Sequence, residues 1–110
     1  MDMPREKLQG TLELLILKTL ARGMAHGYGI TCAILNASQN QLRVEEGSLY
    51  PALRRLESEG LIKAEWKPSD NNRRARYYEL TRTGRKRLQQ IENDWRAHTA
   101  VIESFLAFEK

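Results

Sequence analysis

From Leu8 to Arg22 the apolar residues Leu8, Leu12, Leu15, Ile16 and Leu20 recur at three- and four-residue intervals, which predicts a helix. Leu14 and Leu17 widen its apolar stripe, so this helix is expected to be covered on two sides. Gly23 ends it. Gly27 and Gly29 flank Tyr28, which reads as a helix start packing on the core, and Ile30, Ala33, Ile34 and Ala37 predict a short second helix. The polar stretch from Asn36 to Gln41 closes that helix. Ser48 is the expected N-cap of a third helix, with Pro51 at the third position, where its missing N–H loses no bond. On this helix Leu49, Leu53 and Leu56 share one face, while Pro51, Arg54, Arg55 and Ser58 share the other, flanked by Ser48 and Tyr50. Gly60 suits a left-handed stop.

The period then shifts from helical to alternating. Ile62, Ala64 and Trp66 alternate with Lys63, Glu65 and Lys67, a strand pattern that assigns Trp66 to the core. Pro68 to Asn72 is turn chemistry, and Arg76 to Leu80 returns as a second strand, so the hairpin tip carries Arg73, Arg74 and Arg76. Thr81 caps a final helix reaching about Phe108. Its residues Leu88, Ile91, Trp95, His98, Ile102 and Phe105 are spaced like a heptad seam that only His98 interrupts. A helix of some 27 residues is about 40 Å long, more than the width of the remaining body, so its outer half needs cover. A symmetric partner subunit is the economical source. The fold class is therefore mainly α with a small β-hairpin. The order α-α-α-β-β-α with a long C-terminal helix is that of a winged helix-turn-helix. Residues 1–81 form the expected DNA-binding domain, and residues 82–110 the dimerisation helix, packed with the first helix as one structural unit. In such motifs the second helix enters the major groove, and the hairpin wing follows the backbone or a minor groove.

Charge adds a partner to this outline. The 110 residues carry a net charge of +4, spread unevenly. Residues 43–87 hold twelve basic and seven acidic side chains, whereas residues 88–110 hold two and four. The densest cluster is Arg73, Arg74, Arg76, Arg82, Arg85, Lys86 and Arg87, opposed by Glu79. Such asymmetry suits a polyanion, although a solvated cationic face has the same composition. At least one of Arg54 and Arg55 is expected to touch a phosphate or a base.

Six stretches, in order, resemble the PadR family of bacterial transcriptional regulators. They are Gly10 to Leu17, His26-Gly27-Tyr28-Gly29-Ile30, Gly47-Ser48-Leu49-Tyr50-Pro51-Ala52-Leu53-Arg54-Arg55-Leu56, Gly60-Leu61-Ile62, Arg73 to Thr81, and Gly84. The single last helix resembles the shorter subfamily. The resemblance implies a homodimeric repressor on an inverted repeat in promoter DNA. Its DNA-binding residues would be Ser48, Tyr50, Arg54, Arg55, Arg73, Arg74 and Arg76. It also implies a dimer interface through Leu12, Leu15, Leu88, Ile91, Trp95, Ile102 and Phe105. In drug-sensing members a tryptophan of the last helix lines a cavity at that interface for a small aromatic or cationic effector, and Trp95 holds the similar position. One departure concerns the wing turn, which reads Asn71-Asn72 where many members have glycines.

Other chemistry is thin. One cysteine excludes an internal disulfide and a multi-cysteine zinc site, and the two histidines lack metal-ligand spacing. No cofactor or metal is expected, and no nucleophile, carboxylate pair or metal cluster suggests an enzyme. Burial rather than redox chemistry is expected of Cys32, and a partly solvated interface position of His98. The longest apolar run, Leu14 to Leu17, falls far short of the roughly 18 residues of a membrane span, so no membrane partner is expected and the location read from the chain is cytoplasmic. The rival reading is a winged-helix protein-protein interaction module without specific DNA binding.

Overall fold

The broad apolar stripe of the first helix meets several neighbours at once. In the computed structural model, which describes residues 5–109, α1 (Arg5–Ala21) packs against α2 (Gly27–Ala37), α3 (Glu46–Ser58), β3 (Arg74–Leu80) and α4 (Arg82–Ala107). Ile16, Leu17 and Leu20 on α1 are buried, together with Ile30 and Ile34 on α2 and Leu49, Ala52, Leu53 and Leu56 on α3. Leu61, Ile62, Tyr78, Leu80 and Leu88 complete this core. Each fully buried leucine or isoleucine contributes roughly 1.5–3 kcal/mol relative to exposure. Met1 to Pro4 and Lys110, inside the expected unit boundaries, lie outside the described residues, as does the side chain of Leu8.

Strands β2 (Ile62–Pro68) and β3 form the expected hairpin, but the sheet has a third member. The two-residue strand β1 (Ala25–His26) pairs antiparallel with β3, Ala25 opposite Tyr78 and His26 opposite Tyr77, giving the order β1-β3-β2. His26 is also the N-cap of α2: the Gly29 N–H donates to its Nδ1 at 3.0 Å, and its ring meets Tyr77 edge-on at 5.2 Å. One residue thus ties the start of the helix-turn-helix to the wing. Two backbone bonds end α3, Gly60 N–H to the Glu57 carbonyl and Leu61 N–H to the Leu56 carbonyl, with Gly60 at φ +75°. This is the left-handed stop expected there. Thr81 caps α4 by accepting from the Gly84 N–H, and its hydroxyl also bonds the Leu61 carbonyl. A Cβ on Gly84 would overlap that same Leu61 carbonyl oxygen, so glycine lets α4 approach the sheet.

Four expectations are corrected. Helix α3 begins at Glu46 with Glu45 as its cap, so Ser48 lies inside the first turn. Both Ser48 and Leu49 donate their backbone N–H to the Glu45 carbonyl. Pro51 therefore sits inside the helix, tolerated because the Gly47 carbonyl that loses its bond is on the exposed face. Tyr28 is 69% exposed rather than packed on the core; its ring stacks beside His26, and a hydrogen bond to the Cys32 thiol raises its phenol above the usual range. Trp66 is 57% exposed, because the core ends at the Ala64–Tyr78 row. Leu88, expected at a dimer seam, is buried within the subunit's own core and leaves little surface for a partner. Cys32 is half-buried and His98 exposed.

Candidate nucleic-acid interface

Burial of Leu49, Ala52, Leu53 and Leu56 fixes the roll of α3 and turns Gly47, Tyr50, Pro51, Arg54 and Ser58 to solvent. Helical spacing divides this outer face. Tyr50, Arg54 and Glu57 follow one line towards the wing, and Ser48 and Arg55 follow the far flank. The Tyr50 hydroxyl reaches the start of α2, where a Cβ on Gly27 would come within 2.6 Å of it. Tyr50 thereby bridges the two helices of the motif while its ring stays partly exposed.

The wing faces this line. Its tip is held by the Ser69 N–H donating to the Arg73 carbonyl at 2.7 Å and the Asn72 N–H to the Ser69 carbonyl at 2.9 Å. The Ser69 hydroxyl also reaches the Arg73 carbonyl at 2.6 Å, and the Arg73 N–H reaches Asn71 Oδ1 at 3.3 Å. Asn72 takes the left-handed conformation, φ 66°. Asparagine tolerates that region because its short polar side chain bonds locally. Arg73 and Arg74 project from this hydrogen-bonded tip and are exposed.

A groove of about 790 Å³ lies between α3 and the wing, lined by Tyr50, Arg54, Trp66, Arg73, Arg74 and Arg76 among others. Arg54, Arg73 and Arg74 have no carboxylate within ion-pair distance among the described residues, and neither does Arg55 on the far flank. Arg76 differs: its guanidinium lies 2.6 Å from Glu57 and 5.9 Å over the Tyr78 ring. Burial pushes the Tyr78 phenol above its usual range, against the opposing charge of Arg76. The expected DNA-binding residues thus separate into Tyr50, Arg54, Arg73, Arg74 and Arg76 around one groove, with Ser48 and Arg55 on the other side of α3.

The model of the transcriptional regulator PadR-like family matches residues 16–90. The chain belongs to this family. PadR-like proteins are DNA-binding regulators of transcription, and this chain is a transcriptional regulator of that kind. It is similar to the transcriptional regulator Rv3488 of Mycobacterium tuberculosis, 36% identical over 78% of this chain and 77% of the relative. Among solved structures, a transcriptional regulator from Clostridium thermocellum superposes with a TM-score of 0.82 at 30% identity, covering 91% of this chain and 97% of the other. A PadR-like transcriptional regulator from Bacillus cereus gives 0.80 at 28% identity, covering 94% and 99%. The winged-helix fold read from the sequence is the fold of these PadR-like proteins.

The last helix presents a second concavity. Leu14, Leu15 and Lys18 of α1 face Glu92, Trp95, Arg96, Thr99 and Ala100 of α4 across about 590 Å³. Glu92 is held by Lys18 at 3.0 Å and Arg96 at 3.1 Å, and the Lys18 bond keeps its carboxyl below the usual range. Leu12, Leu15 and Ile91 are half-buried against the core, whereas Trp95, Ile102 and Phe105 are 44%, 43% and 76% exposed. No helix of the described residues is long and apolar enough to cross a membrane.

Proposed function

We propose that this PadR-like regulator is a cytoplasmic, homodimeric repressor of an inverted-repeat promoter site and has no catalytic role. Helix α3 enters the major groove, and the wing follows the backbone beside it. The observation that carries the reading is the set of four guanidinium groups, Arg54, Arg55, Arg73 and Arg74, left without carboxylate partners around the exposed face of α3. Ser48 and Tyr50 supply neutral donors near the start of that helix. Residues 82–110 act as the dimerisation helix of a single unit with the winged helix of residues 1–81. Protein-protein recognition would not call for so many uncompensated cations, and phosphate contacts make log affinity fall linearly with log salt.

An effector fits the second concavity. Trp95 offers a ring face and Leu14 and Leu15 an apolar wall, which suit a small aromatic molecule or a cation stacked on the indole, while Glu92 is already held by Lys18 and Arg96. Binding there would favour a spacing of the two α3 helices that no longer matches adjacent half-sites. Trp95→Ala should abolish release of DNA by planar aromatic cations while leaving duplex affinity nearly unchanged. Loss of both properties, or of neither, counts against this assignment.

Selection of bound duplexes from a random library at moderate salt tests the DNA reading. An inverted repeat should be recovered, and a variant carrying Arg54→Ala and Arg55→Ala should lose the enrichment. A folded protein that enriches no sequence would instead support an interaction module.

A further inference from the structure

The inner face of the sheet changes character along its length. The cross-strand rows Ile62–Leu80 and Ala64–Tyr78 cover the core. Of the next rows on the same face, Trp66–Arg76 and Pro68–Arg74, the residues Trp66, Arg76 and Arg74 line the groove with Tyr50 and Arg54. Trp66 is 57% exposed there, and no partner among the described residues takes its indole N–H. A core role does not account for it, since the core closes one row earlier. Indole offers some of the largest apolar area of any side chain, on the order of 150–250 Å², and gains most where another molecule covers it.

The charge around Trp66 identifies that molecule. Arg54, Arg73, Arg74 and Arg76 line the same groove against the single carboxylate of Asp70, and the first three have no ion-pair partner among the described residues. A DNA strand alternates anionic phosphates with uncharged deoxyribose rings. Arginines answer the phosphates, and an apolar ring between them answers a sugar.

We propose that Trp66 is a DNA-contacting residue whose indole face covers a deoxyribose of the strand running between α3 and the wing. Arg54 and Arg74 hold the flanking phosphates. The assignment rests on the DNA-binding reading above and adds an apolar, sequence-independent contact to it.

The test is a salt series of fluorescence anisotropy titrations with a mixed-sequence DNA duplex, comparing the full chain with Trp66→Ala, Trp66→Phe and Arg74→Ala. A sugar contact releases no counterion. Trp66→Ala should therefore weaken binding roughly ten-fold at every salt concentration, with the slope of log affinity against log salt unchanged. Trp66→Phe keeps a ring and should recover most of the loss, which also guards against a folding defect in the alanine variant. Arg74→Ala should reduce the steepness of that slope by about one. Wild-type affinity in Trp66→Ala would mean that the indole touches nothing, and would overturn the proposal. So would a loss accompanied by a shallower slope, since Trp66 would then act by placing the arginines. Absence of binding by the unaltered chain would instead refute the DNA-binding reading, and the Trp66 contact with it.

Discussion

Arg76 stands between two partners for its charge. In the free subunit its guanidinium pairs with Glu57 at 2.6 Å and leans on the Tyr78 ring, with both charged side chains partly exposed. A pair this open to solvent contributes about 0–1 kcal/mol to stability. Its larger effect is electrostatic, because Glu57 places a negative charge beside the groove and occupies a cation that phosphate could use. Glu57→Gln should therefore shift the melting midpoint little while raising duplex affinity several-fold at low salt. The salt dependence should steepen by about one, as one more phosphate contact releases one more counterion. Calorimetry and anisotropy titrations read the two quantities separately. A fall in affinity with stability unchanged would show that the ion pair positions the wing, and that Arg76 is unavailable to DNA.

Elements with a strong period were legible in the chain, and those defined by only a few residues were not. The stripe on α1, the split faces of α3 and the alternation of β2 each repeat often enough to survive local noise, so the order of helices and the hairpin followed from spacing alone. Strand β1 has two residues, Ala25 and His26, too few to alternate; only its pairing with Tyr77 and Tyr78 makes it a strand. The start of α3 misled in another way. Ser48 and Pro51 are good cap and first-turn residues, but the Ser48 and Leu49 N–H groups both bond the Glu45 carbonyl, so the helix runs from Glu46 although Glu45 provides no side-chain cap. Trp66 kept the period of an inward position, and the period was right: it does lie on the inner face. Alternation reports the face but not where the core stops along it. Arg54 on the outer face of α3 and Arg73, Arg74 and Arg76 at the hairpin tip were readable from charge and spacing, whereas Tyr50 was singled out only by the family resemblance, and the pairing of Arg76 with Glu57 joins residues nineteen apart and leaves no local signal.

At the scale of the whole molecule the long axis decides the argument. The subunit measures 62 × 29 × 23 Å, and every described residue of α4 beyond Glu92 is exposed. The apolar seam of α4 thus divides: Leu88 and Ile91 serve the subunit itself, and Trp95, Ile102 and Phe105 remain open, joined by Val101, Leu106 and Phe108. An apolar surface of this kind on an isolated helix end gains by association, and a two-fold arrangement covers both copies with one self-complementary patch. Changing Ile102 and Phe105 together to glutamate should yield a monomer by sedimentation equilibrium. Circular dichroism should stay close to that of the unaltered chain, because neither residue belongs to the core. The same variant should lose affinity for a selected inverted repeat by a factor on the order of 10², since the second half-site no longer benefits from the effective concentration that the first confers. Its affinity for an isolated half-site should change little, which separates the loss of a partner from damage to α3 or the wing. A variant that remains dimeric would place the interface elsewhere on the subunit, and α4 would then need another reason for its uncovered apolar residues.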